Sequence, residues 1–316
     1  MATYHSTRSR TEALSAKQAI RRGIAPDGGL YVSDELGDRQ IDLDGIASKS
    51  YFELAREVLG MLLSDYADEE IAACVEEAYD TTFASDEVTP LVKLEGAGAD
   101  GADAADTAPS YVLELWHGPT SAFKDVALQM LPRLMARTSA ADEGAADNIM
   151  IVTATSGDTG KAALAGFADA PGCGITVFYP ESKVSRVQEL QMSTQAGANV
   201  SVCAVRGNFD DAQSAVKRIF ADRDLAERLA ASGVQLSSAN SINVGRLVPQ
   251  VVYYFAAYAQ LLREGAVEAG DAVEFCVPTG NFGDILAGYY AKRLGLPIAK
   301  LIVASDKNNV LFDFLT

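Results

Sequence analysis

Histidine is nearly absent from this sequence, with only His5 and His117, and cysteine is sparse. Cys74, Cys173, Cys203 and Cys276 are scattered with no C-x-x-C spacing. That excludes a zinc site of the usual Cys/His spacing and a disulfide framework, and it points to a reducing compartment. Positive charge is scarce too: 26 Lys+Arg stand against 43 Asp+Glu, a net charge of −17 with a pI near 4.5. Such a chain repels phosphate backbones and anionic headgroups, which argues against nucleic-acid and membrane-surface binding. An anionic small substrate would need a site built locally from backbone N–H groups and a few cations. Long apolar runs are missing as well. The N-terminus, MATYHSTRSR, lacks the apolar core of a signal peptide. The greasiest stretch, residues 247–262, is too short to span a bilayer and is interrupted by Pro249, Gln250 and Gln260. The expectation is a soluble, cytoplasmic protein.

What is present is an ordinary globular composition, 48% hydrophobic and 22% charged over 316 residues, enough for one to three domains. Residues 45–80 carry apolar positions at helical spacing, among them Phe52, Leu54, Val58, Leu59, Leu62, Ile71 and Val75, so the N-terminal region reads as α-rich. Residues 96–110 (GAGADGADAADTAPS) are low in complexity and read as an exposed, flexible insertion; residues 139–148 form a second such patch. From residue 148 onward the pattern is regular. Apolar, β-branched runs at 149–154, 174–179, 200–205, 234–238, 273–278 and 300–305 alternate with helical segments at 185–195, 209–231, 244–264 and 284–294. That alternation predicts βαβ units and a parallel sheet covered on both faces, an α/β fold of three αβα layers. Ligands of such sheets sit beyond the carboxyl ends of the strands, so the residues after each run are the place to look.

Five segments stand out there. The first, Thr155-Ser156-Gly157-Asp158-Thr159-Gly160-Lys161, follows a strand and opens a helix, where small residues let N–H groups converge on an anion. It fails as a Walker A loop, because Thr155 stands where the first Gly belongs and Ala162 replaces the Mg²⁺-binding hydroxyl. A plain strand–helix turn capped by Ser156 or Asp158 is the competing reading. The second, Gly280-Asn281-Phe282-Gly283-Asp284, also lies between strand and helix and can form an N–H nest for a phosphate, or simply a turn capped by Asp284. The third, His117-Gly118-Pro119-Thr120-Ser121-Ala122-Phe123-Lys124-Asp125, puts Lys124 in the first turn of a helix capped by Thr120 or Ser121. A lysine there is made more nucleophilic by the helix dipole, although a surface lysine paired with an acid is the commoner case. The fourth (Lys183, Ser185, Arg186) and the fifth (Ser237 to Arg246, with Asn240, Ser241 and Asn243) cluster hydroxyls, amides and cations at helix starts, which suits an anion or a solvated turn.

Taken together, these segments resemble the threonine synthase family of pyridoxal-phosphate (PLP) enzymes, of fold type II. The resemblance begins with Tyr4-His5-Ser6-Thr7-Arg8 and the APDGGLY stretch at 25–31, and continues through HGPTSAFKDVALQ, TSGDTGKAA, SKVSRVQELQM, SSANSINVGR and PTGNFGDILAGYYAKRLGLP. It covers nearly the whole chain outside the two low-complexity patches. It implies a threonine-synthase-like N-terminal domain (1–95), the flexible insertion (96–110) and a PLP-dependent catalytic core (111–316). It also implies that Lys124 bonds to the cofactor and that Gly280, Asn281, Phe282, Gly283 and Asp284 cradle its phosphate. Ser156, Gly157, Asp158, Thr159 and Gly160 match the loop that closes on the substrate α-carboxylate. Lys183, Ser185, Asn243 and Arg246 are candidates for holding the substrate phosphate. The implied reaction converts O-phospho-L-homoserine and water to L-threonine and phosphate, with no metal. Family members continue beyond the point where this sequence stops, in a stretch that completes the large domain and supplies the hydroxyl beside the pyridine nitrogen, so an incomplete core with an exposed sheet edge is expected. Two other readings stand beside it: a serine/threonine dehydratase or cysteine-synthase-like enzyme of the same fold, and a non-catalytic phosphate- or nucleotide-binding module. Monomer and homodimer are both open.

Overall fold

The computed structural model describes residues 3–95, 109–138, 146–155, 157–278, 281–305, 307 and 313. Most of both low-complexity patches, together with Ser156, Thr279 and Gly280, lies outside the described residues. The chain opens with β1 (Tyr4–Ser6), α1 (Ala16–Arg22) and β2 (Tyr31–Ser33), the two strands pairing antiparallel. A 3-10 turn at Ile46–Ser48 leads into α2 (Tyr51–Leu62) and α3 (Asp68–Tyr79). Helix α2 starts at a capping box, in which Ser50 and Glu53 each accept the other's backbone N–H, and it buries Leu54, Ala55, Val58, Leu59 and Leu62 along one face. Strands β3 (Leu91–Lys93) and β4 (Tyr111–Leu113) pair antiparallel across the low-complexity stretch. Periodicity gave no sign of β1, β2 and β3, which at three residues each are too short to show a pattern.

The remainder runs α4 (Asp125–Ala136), β5 (Asn148–Ala154), α5 (Asp158–Phe167), β6 (Cys173–Pro180), α6 (Arg186–Ser193), β7 (Val200–Val205), α7 (Phe209–Ala221), α8 (Arg223–Ala231), β8 (Val234–Ser237), α9 (Val244–Arg263), β9 (Val273–Pro278), α10 (Phe282–Arg293) and β10 (Ile298–Ala304). The helix expected over 209–231 is broken at Asp222. That residue ends α7 and caps α8, its carboxylate accepting the Leu225 N–H at 2.9 Å. The parallel strands divide between two sheets, a four-stranded one in the order β7-β6-β5-β8 and a separate pair β9-β10.

The larger sheet is a three-layer αβα unit, as expected. Alternate residues of β5 face opposite ways: Ile149 and Ile151 join the main core, whereas Val152 and Ala154 pack with Ala212 and Val216 of α7 on the other face. Helix α9 is the axis of the molecule. Every residue from Val244 to Gln260 is buried, and α2, α4 and α10 pack around it, so its apolar surface is consumed by protein on all sides. No helix among the described residues is long and apolar enough to cross a membrane. The β9-β10 pair is covered on one side only. Phe275 meets Tyr254 of α9 edge-on at 4.7 Å, while Glu274, Cys276 and Ile302 lie on the exposed side.

Candidate active site

Four helix starts form the site: those of α4, α5, α9 and α10. Lys124 stands at the N-cap of α4, one residue ahead of the first turn expected for it. Neither Thr120 nor Ser121 caps this helix. Instead the buried Asp125 carboxylate gathers the preceding turn, accepting the Thr120 hydroxyl at 2.7 Å and the Thr120 N–H at 2.8 Å. Burial pushes the Asp125 carboxyl up from its ordinary range, opposed by those hydrogen bonds. Gly118 lets the turn fold so tightly, since a Cβ there would lie 2.5 Å from that of Asp125. The Lys124 side chain is thereby directed inward, 14% exposed, with its Nζ 2.7 Å from Oδ1 of Asp158.

Asp158 is the first residue of α5, where the helix dipole favours its negative charge. Gly157 is the N-cap of α5 and Asp158 its first residue, so Asp158 does not cap the helix; the expectation for Ser156 lies outside the described residues. The organiser is Thr155, whose buried hydroxyl accepts the N–H groups of Gly157 at 3.1 Å and Gly160 at 3.0 Å. Gly157 and Gly160 lie against α6, where added Cβ atoms would come within 2.9 Å of Gln188 and 2.8 Å of the Met192 sulfur. Thr159 is the second residue of α5, between Asp158 and Gly160.

The start of α9 separates two residues that the sequence had grouped. Asn243 is fully buried and caps the helix: its Oδ1 accepts the Gly245 N–H at 2.8 Å, and its Nδ2 donates to the carbonyls of Ile20 and Ser238. Its polar atoms are thus engaged by the fold. Arg246 differs. It is 1% exposed, donates to the Ala239 carbonyl at 2.9 Å, and has no carboxylate within ion-pair distance among the described residues. Its Nε has no acceptor among the described residues. Burial pulls its pKa down to about 10, with the Asp158 charge acting the other way. A buried guanidinium with an unused donor is suited to an anion. Asn240, which the sequence left without a role, is tied to β5 by the Thr153 hydroxyl at 2.5 Å.

At the β9–α10 turn, Asn281 rather than Asp284 caps the helix, accepting the Asp284 N–H at 3.2 Å. Gly283 has only Asn281 and Ser241 near its open side, and Phe282 is exposed. The Asp284 side chain turns into the core, toward Tyr253 and Tyr254. Lys183 is exposed, and Ser185 caps α6 by accepting the Gln188 N–H at 3.2 Å. No hydrogen bond or ion pair among the described residues joins either to Lys124, Asp158 or Arg246. The structure therefore unites Lys124, Asp158, the Gly157–Gly160 turn and Arg246, and leaves Lys183 and Ser185 on a neighbouring helix start.

The comparisons with known proteins agree with this geometry. The family model described as "Threonine synthase N terminus" matches residues 3–79, and "Pyridoxal-phosphate dependent enzyme" matches residues 84–315. A threonine synthase of Pseudomonas aeruginosa is 42% identical across 99% of this chain and 62% of its own length. Among solved structures, the PLP-bound threonine synthase of Brucella melitensis superposes with a TM-score of 0.84 at 41% identity, covering 100% of this chain and 63% of that one. The yeast threonine synthase gives 0.83 at 38%, covering 99% and 60%. The chain thus spans about three fifths of the length of these relatives. With its core matched by one model and its N-terminal region by the other, the chain belongs to the pyridoxal-phosphate-dependent enzymes and groups with the threonine synthases among them.

Proposed function

We propose that this chain carries the cofactor and substrate machinery of a threonine synthase, which converts O-phospho-L-homoserine and water to L-threonine and phosphate. The observation that carries the reading is Lys124: an inward-pointing amine, paired with Asp158 at 2.7 Å, where the starts of α4 and α5 meet. The residues present fit PLP chemically. An amine is placed to bond to its aldehyde, the first-turn N–H groups of α10 at Phe282 and Gly283 lack intrahelical acceptors and suit its phosphate, and Arg246 offers an unused buried donor to an anion. Bound there, PLP supplies the electron sink that stabilises negative charge at the substrate Cα.

The chain's own residues do the rest. The Lys124 amine, once free of Asp158, is the base within reach of a Cα proton. The first-turn N–H groups of α5 at Asp158 and Thr159, which lack intrahelical acceptors and are held in place by the Thr155-tied turn, orient the substrate carboxylate. Arg246 offsets charge growing on the leaving phosphate. Lys183 and Ser185 can join it only if α6 moves toward α5, and the loose packing of α6, whose single buried residue is Met192, supports that. The division into a 1–95 region and a 111–316 core is part of this reading. So is a cytoplasmic location, supported by soluble metabolites as substrate and product and by four free thiols.

Incubation with PLP, borohydride reduction and peptide mapping test the proposal first. A pyridoxyl group fixed on Lys124, absent in Lys124→Ala, is the expected result, and label on another lysine overturns the assignment. Phosphate release from O-phospho-L-homoserine, and no turnover of serine, then tests the substrate.

A further inference from the structure

The mechanism above makes no use of the most unusual polar cluster in the core. Asp284, 9% exposed and in the first turn of α10, accepts the Tyr253 hydroxyl and the Tyr254 hydroxyl, the latter at 2.9 Å, both on Oδ1. Tyr254 also lies 3.0 Å from the Asp284 carbonyl oxygen. No lysine, arginine or histidine pairs with this carboxyl among the described residues. Two adjacent tyrosines of one helix point about 100° apart, so both reach one oxygen only when the start of α10 sits in the notch between them. Their ring centroids lie 5.1 Å apart. Gly288 permits the approach, since a Cβ there would come within 2.9 Å of the Tyr254 ring. Tyr254 also touches Phe275 of β9, so one side chain links the strand, the start of α10 and α9.

We propose that Asp284 is a positioning residue: with Tyr253 and Tyr254 it braces the start of α10 against α9 and so holds the first-turn N–H groups at Phe282 and Gly283 where they receive a phosphate. The proposal rests on the cofactor reading above and assigns Asp284 a role through its acceptor oxygen, not as a ligand. Burial pushes the Asp284 carboxyl up, opposed by the hydrogen bonds that it accepts from Tyr253 and Tyr254.

Comparison of PLP with pyridoxal, which lacks the phosphate, separates positioning of the turn from general stability. Dissociation constants are measured for wild type, Asp284→Ala, Asp284→Asn and the double variant Tyr253→Phe/Tyr254→Phe, with melting temperatures on the same samples. The wild type prefers PLP. Asp284→Ala and the tyrosine pair lose about tenfold of that preference, the scale of an anion at a well-set helix start. Asp284→Asn retains the preference, because it keeps the acceptor oxygen. Should Asp284→Ala fail to fold, Tyr254→Phe alone removes one donor and gives a smaller loss of the same kind. Equal weakening of PLP and pyridoxal in Asp284→Ala overturns the proposal, as does an Asp284→Asn variant no better than Asp284→Ala. A wild type that captures neither compound overturns the cofactor reading itself.

Discussion

Replacing Gly166 by alanine probes the packing that brings Lys124 and Asp158 together. Gly166 lies near the end of α5, and a Cβ added there would stand 1.9 Å from the Leu128 carbonyl oxygen of α4. A carbon–oxygen contact needs roughly 3.3 Å, so the two helices must part by about 1.4 Å. The obstacle is backbone and no rotamer relieves it, so the overpacking cost falls near the upper end of the usual scale, about 3 kcal/mol. Alanine returns about 1 kcal/mol through its better helix propensity. The net loss is about 2 kcal/mol, a fall in Tm of about 3 °C for a chain of this size. Gly60→Ala in α2 is the matched control: its nearest neighbour is the Ile71 Cδ1 at 3.9 Å, so only the propensity gain remains and Tm rises. Thermal melts of the two variants and wild type by circular dichroism settle it. A Gly166→Ala protein that melts with or above the wild type would refute the close approach of α4 and α5.

Three further expectations use other parts of the structure. Thr155→Val keeps the side-chain shape but strands the Gly157 and Gly160 N–H groups; a loss of about 1–3 kcal/mol in urea unfolding, with weaker substrate affinity, is expected, and an unchanged midpoint counts against Thr155 as organiser. Asn243→Ala removes a cap and two ties to carbonyls, so a loss of about 1–2 kcal/mol is expected. The Asp284 carboxyl is raised by burial above its ordinary 3.8, so the folded state holds its proton more tightly than the unfolded state. Its contribution to stability is full below 3.8 and is lost as pH rises through the raised value. Asp284→Asn does not titrate, so its stability relative to wild type improves as pH rises through that window; a pH-independent difference in urea melts would contradict the burial of this carboxyl.

The elements that the sequence predicted well are those whose pattern is long. The six apolar runs from 149 onward are all strands, because buried strands carry mostly apolar residues, and α9 was visible from its apolar composition. Lys124 was found because a lysine, a Gly-Pro turn and a helix start coincide locally. Asn243 and Asp284 show the opposite case. Each stands in a polar segment at a strand end, and nothing in spacing says whether its side chain faces a ligand or the core. Asn243 faces Ile20, more than two hundred residues earlier in the chain, and Asp284 faces Tyr253 and Tyr254.

Composition, periodicity and the turn chemistry at strand ends are local properties, and through them the sequence by itself determined the α/β class, the helices and strands from α4 onward and the segments in which the site lies. The pairing of Lys124 with Asp158, the solitary burial of Arg246, the division of the strands into two sheets and the bracing of α10 by consecutive tyrosines were decided only by tertiary structure. Each depends on how far and at what angle two elements distant in sequence approach. That approach is set by the absence of side chains at Gly166 and Gly288 as much as by any contact.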